Sequence, residues 1–157
     1  MFRSSALAFT LFAGITIAAQ AAEIAISDPY ARAVPPGQHN SAVFLSLTNS
    51  SAQNHALVGA ESPVAGVTEL HTHVNEDGMM RMRRIDRIEL PVGETVTLKP
   101  GGLHLMLIGL KQSLEPGASV DLTLIYDDGS RMSVQAPVRQ TGVPPMQHPG
   151  LTKKPNI

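Results

Sequence analysis

Four side chains near the middle of the chain combine types and spacing that could hold a soft metal ion. His71 is followed after ten residues by Met82, then after twenty-one by His104, and after one more by Met106. Imidazole nitrogen and thioether sulfur together suit Cu(I). Zinc, magnesium and calcium favour imidazole, thiolate or oxygen ligands and rarely recruit a thioether. Taken singly, each residue has a plainer reading, because a methionine on a strand ordinarily fills core and a strand histidine is ordinarily solvated or hydrogen-bonded. The case for a copper-binding set therefore rests on the elements that carry the four residues.

Residues 103–108 (LHLMLI) alternate, with Leu103, Leu105 and Leu107 on one face and His104, Met106 and Ile108 on the other. One strand thus presents an imidazole and a thioether on its non-leucine face, where no packing role is as plain as that of the leucines. Residues 66–74 (GVTELHTHV) also read as a strand. Thr68, Leu70, Thr72 and Val74 share one side, and Val67, Glu69, His71 and His73 share the other. Asp77-Gly78 then gives a strong hairpin signal. If the loop is residues 75–78, His71 lies opposite Met82; if it is only Asp77-Gly78, His73 takes that place and His71 sits on the diagonal. In both registers His71 and Met82 share a face, at a Cβ separation of roughly 4.5–8 Å. His73 shares that face too, and geometry alone does not separate it from His71.

Further strands are expected at residues 23–33, 41–48, 55–61, 85–90, 94–98, 119–126 and 131–138. They are separated by Pro35-Pro36-Gly37, Asn49-Ser50-Ser51, Ser62-Pro63, Lys99-Pro100-Gly101-Gly102, Pro116-Gly117 and Asp127-Asp128-Gly129. Residues 109–115 could supply one short helical turn. Eight or nine short strands punctuated in this way predict an antiparallel sandwich or barrel. On such strands Met132 reads as core, and His39 and His55 as solvated residues.

A chain of 157 residues is sized for one domain. A net charge of −1 leaves no basic surface for a phosphate backbone, and scarce aromatics without tryptophan leave no base-stacking platform, so nucleic acid is not expected as a partner. There is no cysteine. That removes disulfides, zinc–thiolate sites, thiol catalysis and the thiolate of a blue-copper centre. No nucleophile motif, paired carboxylates or phosphate loop suggests an enzyme.

Residues 1–21 read as a secretory signal: Met1 and Arg3 precede an apolar run over residues 6–19, and Ala19-Gln20-Ala21 offers a cleavage site. The run is shorter than the ~20 residues of a bilayer span, so the mature chain is expected to have no membrane span. The domain is expected over residues 22–139, with a flexible tail over 140–157.

The spacing of His71, Met82, His104 and Met106, with the phrases RAVPPG, EDGMMRMR and LKPGGLHLMLIGLK, resembles the PCuAC family of exported bacterial copper chaperones. The likeness spans about residues 26–138. It implies an all-β, cupredoxin-like antiparallel Greek-key β-sandwich that holds one Cu(I) through those two imidazoles and two thioethers. It also implies a periplasmic location and delivery toward the copper centres of cytochrome oxidase, alongside Sco-type proteins. The resemblance selects His71 over His73. Some members carry a His/Met-bearing tail holding a second ion as Cu(II); here the tail offers Met146 and His148. Met79 and Met80, just past the hairpin turn, either shield the ion or fill structure. Competing functions are a periplasmic copper-storage or resistance protein and an electron-transfer cupredoxin. Imidazole must be neutral to bind metal, so affinity is expected to fall as pH drops through about 6.5.

Overall fold

The computed structural model describes residues 23–141. The expected signal segment and the tail residues Met146 and His148 lie outside the described residues. Within them are ten strands: β1 (Ile24–Arg32), β2 (Asn40–Asn49), β3 (His55–Glu61), β4 (Ala65–Glu76), β5 (Met79–Arg84), β6 (Ile88–Leu90), β7 (Thr95–Leu98), β8 (His104–Leu110), β9 (Ser119–Tyr126) and β10 (Arg131–Arg139). The short helical turn considered at residues 109–115 does not form, because Gly109 and Leu110 extend β8 instead.

Alternation decides which faces meet. Val43, Leu45 and Leu47 of β2, Leu70 of β4, and Leu105 and Leu107 of β8 pack against Leu57 of β3, Leu90 of β6, and Val120, Leu122 and Leu124 of β9 in one core. Burying each such side chain contributes about 1.5–3 kcal/mol, and with no cysteine to cross-link the chain, this burial holds the layers together. Strands pair in the order β5-β4-β8-β2-β1-β10-β9-β3-β6, with β7 also on β2. Most pairings are antiparallel, as expected. The pairing that joins the layers is parallel: Ala31 and Arg32 of β1 lie beside Val138 and Arg139 of β10. The sheet is therefore mixed and open, with a cupredoxin-like arrangement.

The expected strand over 85–90 is shorter than its alternation suggests. Ile85 N–H donates to Leu70 O of β4 at 2.9 Å, whereas Ile88–Leu90 pairs with β3. The chain crosses between layers at Asp86-Arg87, and a strand cannot stay paired across that step.

Three features place the site. The β4–β5 hairpin uses the two-residue loop, with Glu76 opposite Met79. Asp77 and Gly78 both have positive φ (53° and 80°), the requirement of a tight turn matching strand twist, and Asn75 Oδ1 accepts from Gly78 N–H at 2.9 Å. β8 enters from a turn closed by Lys99 N–H to Leu103 O at 2.8 Å. Finally, β8 lies between β4 and β2, while β5 forms the sheet edge.

Candidate metal centre

Register brings the expected residues together on one face. His71 lies directly opposite His104, and Glu69 opposite Met106, across the β4–β8 pair. Across β4–β5, His73 is opposite Met82 and His71 opposite Arg84. Directly paired residues share a face, so His71, His73, Met82, His104 and Met106 all project to one side. His71 is the hub of this set: His104 is its direct neighbour, and Met82 and Met106 occupy its two opposite diagonals. His73 has Met82 opposite but is two pairing positions further from Met106.

The surroundings of each donor differ. His104 is 2% exposed although it lies on the non-leucine face, because His73, His71 and Phe44 close around it, with ring centroids at 5.2, 5.7 and 6.3 Å. Its Nδ1–H donates to Gly102 O at 2.9 Å, which leaves the lone pair of a neutral ring on Nε2. Burial lowers the His104 pKa below its ordinary value; the Gly102 carbonyl opposes this, and His73, His71 and Arg32 reinforce it. The neutral, metal-competent ring is thereby favoured. His71 Nε2–H donates to Glu69 Oε2 at 2.8 Å, and its Nδ1 is buried without a hydrogen-bond partner. A buried acceptor left unpaired in this way costs stability unless something fills it.

His73 Nδ1 lies 3.4 Å from the same Gly102 carbonyl. A cavity of about 170 Å³ is lined by His73, Met82, His104 and Met106, together with Phe44 and Ala42 among others. The His71 ring, turned to Glu69, is not among its walls. Ala42 sits opposite Met106 across β8–β2, and its small side chain leaves that thioether room. Met82, Met79 and Met80 are all exposed on the edge strand. The donor set thus runs from a fully buried imidazole to an open thioether.

Sequence reasoning missed Glu69, Gly102 and Phe44. Glu69 was legible as a face-mate of His71, two residues away on one strand, but no pattern marks it as a hydrogen-bond partner. Elsewhere, His55, Asp127 and Asp128 bring donor atoms within 4.8 Å of one another. There Arg87 lies 3.7 Å from Asp127, and His55 3.3 Å from it, as an ion-pair network. Met132 packs against the core as expected.

Comparison with known proteins identifies the family. The LpqE-like family model, described as "Putative lipoprotein LpqE-like", matches residues 24–138. The chain belongs to this LpqE-like, PCuAC-related family. "Putative lipoprotein Lxx21020" of Leifsonia xyli subsp. xyli is 35% identical over 121 residues, covering 76% of this chain and 72% of that protein. The solution structure of apo-DR1885 from Deinococcus radiodurans is 35% identical with a TM-score of 0.60, over 89% of this chain and 94% of that one. The CuI-DR1885 structure is 34% identical with a TM-score of 0.60, over 80% and 83%. The copper-bound PCuAC domain from PmoF2 superposes with a TM-score of 0.65 at 24% identity, over 77% of this chain and 96% of that domain. At that identity the last likeness is one of fold, and it is the cupredoxin-like fold described above.

Proposed function

We propose that this PCuAC-family protein is an exported copper carrier. It binds one Cu(I) through His71, His104, Met82 and Met106, and passes the ion to the copper centres of cytochrome oxidase, with Sco-type proteins as co-workers. The observation that carries the reading is the register. His71 has one imidazole opposite it and one thioether on each diagonal, and its own Nδ1 is a buried acceptor with nothing to accept from. A soft, d10 cation satisfies that lone pair and tolerates two neutral sulfurs. The solved Cu(I) form of DR1885, at 34% identity, supports copper as the cargo.

Carriage involves no redox step. An incoming donor replaces one ligand at a time, and the exposed Met82 is where it can enter. Thioethers are neutral and do not couple into disulfides, so the set remains competent outside the cytoplasm. Residues 1–21 direct export to the periplasm in this reading. The sequence has no cysteine, so a thioether-linked lipid has no residue in it to attach to. Among the described residues no helix is long and apolar enough to cross a membrane. One compact donor set favours a carrier over a storage protein, and the missing thiolate disfavours an electron-transfer blue-copper role.

The test is Cu(I) stoichiometry by competition with a chromogenic chelator, for wild type and for the Met82→Ala, Met106→Ala double variant. One ion per chain in the wild type and none held by the variant at the same chelator strength is expected. Equal binding by both removes the thioethers from the site.

A further inference from the structure

We infer that His71 meets Cu(I) through Nδ1 rather than Nε2, and that Glu69 is the positioning residue that presents it so. This rests on the copper reading above and deepens it. A carboxylate can only accept, so the 2.8 Å contact between Glu69 Oε2 and His71 Nε2 puts the proton of the neutral ring on Nε2 and the lone pair on Nδ1. That Nδ1 is buried and unpartnered. Coordination through Nε2 would break the Glu69 bond and leave the carboxylate facing a desolvated ring edge. Coordination through Nδ1 uses the unpaired lone pair and keeps the Glu69 bond.

The carboxylate is itself fixed. Glu69 is held in register opposite Met106, and its second oxygen, Oε1, lies 3.5 Å from Arg84 Nη1. Arg84 in turn sits opposite His71 across β4–β5. The Arg84–Glu69–His71 series therefore orients the ring from two strands and leaves Oε2 for the imidazole. His104 is arranged in the opposite sense, because its Nδ1–H is tied to Gly102 O at 2.9 Å and Nε2 is left free. The site thus offers one Nδ1 and one Nε2, each fixed by a hydrogen bond on the far side of its ring. Such outer partners set ring orientation and raise ligand basicity, and their loss typically costs roughly 10–100-fold in metal affinity.

The experiment follows imidazole nitrogens by long-range 1H–15N correlation and methionine methyls by 1H–13C correlation in the 15N,13C-labelled protein, without metal and with one equivalent of Cu(I), alongside Glu69→Ala and Glu69→Gln. In the metal-free wild type, His71 should carry its proton on Nε2. On Cu(I) addition Nδ1 of His71 and Nε2 of His104 should shift, with the His71 Nε2–H retained. Glu69→Ala should lower Cu(I) affinity by about 10–100-fold, and Glu69→Gln, which keeps an oxygen to accept from Nε2–H, should recover a large part. A His71 shift at Nε2, or wild-type affinity in Glu69→Ala, overturns the inference while leaving copper binding intact. A response at His104, Met82 and Met106 with none at His71 also overturns it. No Cu(I) response at any of the four overturns the copper site, and the inference with it.

Discussion

Replacing Met82 by alanine should separate copper binding from folding. The side chain lies on an edge strand whose residues are all exposed, and it is itself 44% exposed. Fully burying a methionine contributes about 1.5–3 kcal/mol. A side chain left nearly half open recovers about half of that, so Met82→Ala should cost the metal-free protein about 1 kcal/mol or less. Leu107→Ala is the counterpart: Leu107 is fully buried in the core on the face away from the donors, and its truncation should cost about 2–5 kcal/mol. Metal that binds only the folded state stabilises it by RT ln(1 + [L]/Kd), so every tenfold loss of affinity removes about 1.4 kcal/mol of that gain at saturating ion. Urea unfolding with and without chelator-buffered Cu(I) reads both terms. Met82→Ala should lower the metal-free midpoint only slightly, in line with a cost of about 1 kcal/mol or less, and lose much of the copper-induced increment. Leu107→Ala should lose the midpoint and keep the increment. If Met82→Ala keeps the full increment, or Leu107→Ala loses it equally, the assignment of that thioether is wrong.

Two further outcomes follow. His73→Ala should retain one Cu(I) with an affinity change below about tenfold, whereas His71→Ala should lose at least as much as removal of an outer partner, roughly 10–100-fold; competition titrations in which the two variants exchange behaviour would transfer the ligand role to His73. The pH dependence of folding should carry the mark of His104. Burial, the largest cause, holds its pKa in the folded protein below the ordinary 6.5, so on acidification the unfolded chain takes up the proton first. The stability it contributes is present above the unfolded value and is lost as pH falls through the folded one. Urea midpoints of the metal-free wild type should therefore drop more steeply than those of His104→Gln below about pH 6.5, and a difference between the two that stays flat with pH would refute this.

How much of this could be read from the sequence depends on the range of the interaction. Faces were legible wherever alternation was strict. The Leu103, Leu105 and Leu107 series fixed the side on which His104 and Met106 emerge, and Asp77-Gly78 announced the hairpin. Register was not legible, because residues 75–78 permit two loop lengths, and only the closed geometry of Asp77 and Gly78, both at positive φ, selects the one that sets His73 rather than His71 opposite Met82. The parallel β1–β10 pairing is also invisible locally, since it joins segments more than a hundred residues apart and leaves no period in either. The burial of His104 depends on Phe44 from β2, a residue that alternation alone places merely on the same side of the sheet. The family resemblance supplied the choice of His71 over His73, and the strand register places both rings on the face that carries Met82, His104 and Met106.

In the proposed site, the placement of the donors on the sheet bears on how a bound ion would leave. His104 and Met106 lie on β8, which is hydrogen-bonded on both sides by β4 and β2, so their backbone positions move only if the sheet itself opens. Met82 lies on β5, paired on one side only and exposed throughout. Edge strands open at a lower free-energy cost than central ones. The same four ligands on four central strands would form a cage whose exchange required global unfolding; on two edge strands they would hold the ion loosely. In the proposed site, one buried imidazole anchored through Gly102, a second braced by Glu69, and a thioether at the edge would give binding that is strong in equilibrium and weak at one point. A partner donor would attack at that point without disturbing the core that keeps the other residues in register.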